Sequence, residues 1–301
     1  MADGFFLAPW QGVESTSKIW YKNLQTIDTG GNSVVFFVFA NTGENVGVPY
    51  ALKVFRKISR PERKDNFFNE IKFLQTNSHP TIMKVVDFGT FNTKEEFPFL
   101  ISEYYSSTLK IGIEKNAYTT QEKLLISLQL ISAISFLSSL DIAHRDIKPS
   151  NIFLNGRTCV LGDFGLIKQL KNQTDDDREI IKTSPGAGMA FYYRTPDLKK
   201  YASEKYELTP QTDIYQLGLV LAELFTGVNP QKAAEDISDP IEMTKIEKIE
   251  SVHGGLICTA LNEMLREDPE KRATHKRAYE LMQSALEKTI KDVAKTSAKP
   301  F

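Results

Sequence analysis

His144-Arg145-Asp146-Ile147-Lys148-Pro149-Ser150-Asn151 is the stretch on which the reading of this chain turns. Eight positions hold a carboxylate, two strongly basic side chains and a carboxamide, and Pro149 stiffens the backbone between them. A second carboxylate follows a short hairpin, in Asp163-Phe164-Gly165. Asp146 is the candidate general base.

Upstream, residues 18–28 and 33–40 read as two strands around Thr29-Gly30-Gly31-Asn32. The run Val34 to Phe39 is β-branched or aromatic, and the glycines give the freedom a tight turn needs. The pattern suits an ordinary hairpin or a loop that covers an anion. A third strand, Tyr50-Ala51-Leu52-Lys53-Val54-Phe55, carries a lysine inside an apolar run. Such a lysine is an edge-strand gatekeeper or a charge with a dedicated partner. The partner is nominated by the next element. Ser59-Arg60-Pro61-Glu62 reads as a helix start, and Phe67, Phe68, Ile71 and Leu74 form one apolar stripe with Glu70 beside it. Phe97–Ile101 then predicts a strand running into Ser102-Glu103-Tyr104-Tyr105.

Residues 119–140 predict the clearest helix, with Thr119 and Glu122 as a capping box and Leu124, Leu128, Ile131, Ile134 and Leu137 as its stripe. Asp213-Ile214-Tyr215-Gln216-Leu217-Gly218 opens another apolar helix, and helices resume near 255–266 and 275–296. Between Asp163 and Asp197 runs a long polar segment with Asp175-Asp176-Asp177, then Thr183, Ser184 and Pro185-Gly186-Ala187-Gly188. It reads as a solvated loop.

The apolar fraction of 41%, the charged fraction of 25% and a net charge of −1 are those of an ordinary globular chain and give no nucleic-acid footprint. The only two cysteines, Cys159 and Cys258, sit in apolar surroundings and read as small buried hydrophobes of a reducing compartment. No run of about 18 apolar residues is evident, and the N-terminus lacks a basic region, so neither a membrane span nor a signal peptide is expected. Repeats are absent. The expectation is a soluble, cytoplasmic protein.

Taken together, these motifs resemble those of Hanks-type (eukaryotic-like) serine/threonine protein kinases. The resemblance spans about residues 20–290 and keeps its order. It runs from the hairpin through Tyr50-Ala51-Leu52-Lys53, Glu70, the His144–Asn151 loop, Asp163-Phe164-Gly165, Thr195-Pro196-Asp197 and Asp213 to Asp268-Pro269-Glu270-Lys271-Arg272. It implies an α+β, bilobal fold in a single kinase domain over 1–301. A small antiparallel sheet with one helix would occupy about 15–102, a hinge 103–105, a larger helical lobe 106–292, and a polar tail 293–301. It implies ATP and Mg²⁺ as cofactors, with Mn²⁺ as the substitute ion, and protein hydroxyls as acceptors.

By the same resemblance, Asp146 is the base, Lys148 lies near the γ-phosphate, and Asn151 and Asp163 hold the metal. Gly30, Ser33, Val35, Ala51, Lys53, Glu70, Glu103, Tyr105 and Phe153 belong to the ATP site, and Ser102 is a small gatekeeper. Arg145 would read phosphorylation at Thr183 or Ser184. His144 packing on Phe164, Asp213 bonding the loop backbone, and Asp197 pairing with Arg272 are structural. The chain departs from the pattern at Asp28 and Ser33, which stand where glycines are usual, and at Ala190, where a threonine is common. A kinase-like binding scaffold and a small-molecule kinase are the alternatives.

Overall fold

The strand Ser33–Ala40 shows how sequence becomes sheet here. Its apolar run alternates once folded: Val34, Phe36 and Val38 are buried, while Val35 and Phe37 are half-buried on the other face. The computed structural model describes residues 7–30, 32–56, 61–92, 96–175, 178, 192–204, 206–234, 239–251 and 253–297. The chain divides into two compact units, 1–106 and 107–301.

The first unit is a six-stranded antiparallel sheet with one helix. Strands β1 (Gly12–Glu14), β2 (Trp20–Thr29), β3 (Ser33–Ala40), β4 (Pro49–Phe55), β5 (Val85–Asn92) and β6 (Glu96–Glu103) lie in the order β1-β2-β3-β4-β6-β5. The first long strand begins at Trp20, two residues later than the pattern predicts, because Lys18 sits in a turn with φ of 62°. One face packs Tyr21, Phe36, Val38, Leu52, Val54 and Phe99 into a core. The other receives α1 (Pro61–Thr76), whose Phe67 and Ile71 pack on Phe55 and Leu100. Pro61 opens that helix, where its missing N–H costs nothing. Phe68, expected on the packed stripe, is exposed instead, and Phe73 takes a buried place. Residues 67, 71 and 74 already fill the inward arc, so residue 68, one position round from 67, faces out.

The second unit is mainly helical, and an α+β chain results. Its elements are β7 (Ser107–Thr108), α2 (Leu109–Glu114), α3 (Thr120–Ser139), β8 (Ile142–Ala143), β9 (Ile152–Asn155), β10 (Thr158–Leu161) and β11 (Lys168–Gln169). Then come α4 (Pro196–Ser203), α5 (Gln211–Thr226), α6 (Gly254–Met264) and α7 (His275–Ser297). Thr119 and Glu122 cap α3 reciprocally. By length and mean hydropathy α3 could cross a membrane, although Gln, Glu, Lys and Ser interrupt it and it holds no unbroken apolar run of that length. Its Leu124, Leu130, Ile131, Ile134 and Leu137 are buried, and it packs against α5 and α7, as a core helix does. Cys159 is buried, but Cys258 is only partly so, and both thiols are free. In α5, twelve residues from Thr212 to Leu224 are buried, among them the polar Thr212, Asp213 and Gln216. Polar groups at that depth need partners.

Candidate active site

In the first unit, register sets the chemistry. Val35 lies opposite Lys53, and Phe37 opposite Ala51, across the β3–β4 ladder. Cross-strand partners project from the same face, so Val35, Ala51 and Lys53 share the face that also carries Phe55 and α1. Lys53 Nζ meets Glu70 Oε1 at 2.8 Å and Oε2 at 3.0 Å. The Glu70 side chain is only 2% exposed, which marks a charge held for a partner. Thus Lys53 is no edge gatekeeper.

The β2–β3 hairpin closes with Gly30 N–H donating to Ser33 O at 2.9 Å. Arg56 donates to Gly30 O at 2.6 Å, and Arg63 on α1 to the Asn32 side chain at 2.5 Å. Two arginines therefore hold the turn from outside. Asp28 is exposed, and its carboxylate accepts the neighbouring Thr29 N–H at 2.8 Å. Glu103 ends β6, and Tyr105 O–H donates to its carboxylate at 2.9 Å. Burial raises the Tyr105 phenol's pKa, and the Glu103 carboxylate raises it further. Ser102 is buried opposite Ala51.

In the second unit the His144–Asn151 loop is built by side chains that satisfy its backbone. Asp213 accepts the N–H groups of His144 at 2.8 Å and Arg145 at 3.0 Å. Gln216 accepts the Ile147 N–H at 3.0 Å. The His144 ring lies edge-on to Phe164, centroids 4.7 Å apart, with Nε2 3.2 Å from Gly162 O. Inside this frame Lys148 Nζ reaches Asp146 Oδ2 at 2.8 Å, and Asn151 Nδ2 donates to the same oxygen at 2.9 Å. Asn151 also donates to the Asp146 carbonyl at 2.9 Å. With its amide nitrogen engaged there, the Asn151 side-chain oxygen is the end available to a cation. Gly162 N–H donates to Asn151 O at 2.9 Å, which ties the end of β10, and so Asp163, back to the loop.

Asp146 is buried, and that burial pushes its pKa up to about 7. The Asp163 charge pushes the same way, while Lys148 and Asn151 oppose it. Burial likewise raises Asp213 to about 6 against the pull of the two amides it accepts. Arg145 and Asp163 both adopt positive φ, 68° and 59°. Non-glycine residues there cost on the order of 1 kcal/mol each and are kept where the surroundings force them. Arg145 is buried, with Nε donating to Leu166 O at 2.7 Å. Phe153 is half-buried on β9, opposite Val160 and Thr108.

Mg²⁺ suits Asn151 and Asp163 by donor chemistry: both offer oxygen, and such an ion takes its remaining ligands from water and phosphate. No cluster of three or more His, Cys, Asp or Glu exists among the described residues, so a site built wholly from protein ligands is not offered there.

Beyond the loop, Asp197 pairs with Arg272 at 2.6 Å, both buried. Thr195 caps α4, accepting Leu198 N–H at 2.9 Å. Thr183, Ser184 and Ala190 lie outside the described residues, as do Ser59 and Gly31.

Lys53 thus pairs with Glu70 in the first unit, and in the second Asp146 lies between Lys148 and Asn151 on a loop held by a buried Asp213. Residues 21–292 match the family described as protein kinase domain. The chain belongs to that protein kinase family. The mitogen-activated protein kinase 18 of Arabidopsis thaliana is 31% identical over 261 residues, covering 83% of this chain and 41% of the relative. A probable serine/threonine-protein kinase, mkcE, of Dictyostelium discoideum is 27% identical over 269 residues, 87% of this chain and 36% of the relative. The mitogen-activated protein kinase 10 of Oryza sativa is 32% identical over 213 residues, 69% and 33% of the two chains. This kinase domain thus spans about two fifths or less of those relatives' length.

The sequence reading missed Gln216, Tyr193 and Glu223. Tyr193 O–H makes a short hydrogen bond to Glu223, and Gln216 donates to Tyr193 O at 3.0 Å. Polar residues inside the apolar α5 run were the available signal. Gln173 and Arg178 were missed too. Gln173 exchanges bonds with Leu208, and Arg178 donates to the carbonyls of Tyr201, Glu204 and Tyr206 while stacking on Tyr201.

Proposed function

We propose that this chain is an active serine/threonine protein kinase that transfers the γ-phosphate of ATP to protein hydroxyls, autophosphorylates, and works in the cytoplasm. The observation that carries the activity is Asp146: a buried carboxylate with a pKa near neutrality, fixed by Lys148 and Asn151 on a loop pinned by Asp213. The free thiols of Cys159 and Cys258 suit a reducing compartment.

The substrate hydroxyl oxygen forms a bond to the γ-phosphorus, the bond to the ADP oxygen breaks, and the hydroxyl proton passes to Asp146. Lys148 offers its ammonium to charge on the transferring group. Lys53, oriented by Glu70, offers its ammonium to nucleotide phosphates. Mg²⁺ or Mn²⁺, held by Asn151 and Asp163, supplies charge neutralisation. Catalysis of this kind is mostly positioning and electrostatics. Arg145 is assigned to a phosphorylated loop, at Thr183 or Ser184, on charge alone.

The test incubates the protein with labelled ATP, Mg²⁺ and a generic protein acceptor beside an Asp146→Asn control. Transfer to serine or threonine, lost in the control, is expected. ATP binding without transfer above the control would overturn the enzymatic reading.

A further inference from the structure

Helix α5 presents three polar residues toward the loop and the segment that precedes α4. Asp213 holds the N–H groups of His144 and Arg145. Glu223 receives the Tyr193 hydroxyl. Gln216 does both jobs at once. Its Oε1 accepts the Ile147 N–H at 3.0 Å, and its Nε2 donates to Arg145 O and to Tyr193 O, each at 3.0 Å. The residue is 1% exposed, and its two bonds to the loop are buried, while the bond to Tyr193 O is part-buried.

Two of the three bonds straddle Asp146. Two backbone groups on either side of the base, Arg145 C=O and Ile147 N–H, end on one amide, and the third bond leaves that amide for the Tyr192–Thr195 segment. Asp213 cannot do this, because both its bonds go to the loop. Filling a buried hole would need no such spread. An apolar side chain of equal length would remove the donor to two carbonyls and the acceptor of one N–H.

We propose that Gln216 is a positioning residue, whose side-chain amide locks the loop carrying Asp146 to the Tyr193 segment so that the base keeps one position against that segment. Its catalytic consequence rests on the kinase reading above.

Gln216→Met keeps length and volume and removes the hydrogen bonds. Gln216→Glu keeps the acceptor for Ile147 N–H but turns an acceptor toward the carbonyls of Arg145 and Tyr193. Leu224→Ala, a buried apolar truncation on the same helix, is the stability control. With peptide and ATP varied separately, both Gln216 variants should lose about tenfold in kcat/KM for the peptide, the value of one to two hydrogen bonds. KM for ATP should stay within about twofold. A loss under about threefold, an equal change in KM for ATP, or the same loss in Leu224→Ala at matched Tm would overturn the proposal. A second readout needs no activity. Gln216→Met should speed amide exchange at Ile147 and also shift the fluorotyrosine resonance of Tyr193. If the wild type transfers no phosphate, the kinase reading fails and this pair of signals decides. An unmoved Tyr193 resonance then removes the locking role.

Discussion

Arg272 Nη1 lies 2.6 Å from Asp197 Oδ2, with both side chains almost wholly withdrawn from water. Arg272 also donates to the carbonyls of Arg266, Gln211 and Glu267 and stacks on Tyr215, 5.0 Å from the ring centroid. It therefore gathers the segment after α6, the start of α5 and the start of α4 around one guanidinium.

Breaking that pair should be costly. Arg272→Met leaves a buried carboxylate without its cation, a loss of about 3–5 kcal/mol. The double variant Arg272→Met/Asp197→Leu should recover only part of it, since three carbonyls still lack their donor. Asp197→Glu is expected to cost about 1–3 kcal/mol, because a 2.6 Å contact has no room for another methylene. Urea unfolding of the four proteins checks the order. Equal stability of Asp197→Glu and wild type would refute the tight-fit argument.

Lys53 and Glu70 make a second pair, with a different balance. The lysine is 17% exposed and the glutamate 2%. Lys53→Met should abolish transfer and lower stability by about 1–3 kcal/mol through the desolvated carboxylate. Glu70→Gln should leave stability nearly unchanged and raise KM for ATP about tenfold, because the ammonium loses its orienting charge. Separate measurement of unfolding and ATP dependence tests the split. A Glu70→Gln enzyme with wild-type KM for ATP would show that the pair is purely structural.

What the sequence disclosed follows from the range of each interaction. Asp146, Lys148 and Asn151 sit within one loop, so their closeness was evident, but the bonds of Lys148 and Asn151 to Asp146 came only with the structure. The capping box at Thr119 and Glu122 was local in the same way. Lys53 with Glu70 was legible from a lysine inside an apolar run and a glutamate beside the stripe of the next helix. Asp197 with Arg272, 75 residues apart, became legible only through the order of motifs. The Gln216 contacts were not legible at all, since nothing in an apolar run says which backbone groups its one amide will meet. Phe68 failed for another reason: a helical stripe narrower than the apolar residues available must leave one outside.

Asp163 raises the pKa of Asp146 by like charge, after burial has already raised it. Asp163→Asn removes that charge without changing shape, so Asp146 should titrate lower than about 7 in the nucleotide-free protein. Lys148→Met should move it higher, since the lysine favours the ionised form. Carboxyl carbon NMR of labelled aspartate reads both. An upward shift in Asp163→Asn would refute the like-charge effect.

Asp213 connects site geometry to stability. Its pKa is raised to about 6 in the folded chain by burial, against about 3.9 for an unfolded aspartate. Between these values the native state binds the proton more tightly than the unfolded state does. The contribution of this group is therefore fully present below about pH 4 and is lost as pH rises through 6, by on the order of 3 kcal/mol. Asp213→Asn does not titrate. Its stability deficit relative to the wild type should be greater at pH 4 than at pH 7, even though the ionised carboxylate is the better acceptor for His144 and Arg145 N–H. Urea unfolding of the two proteins across this range measures the difference directly. If the deficit instead grows with pH, the two amide bonds outweigh burial and the folded pKa lies below the unfolded one.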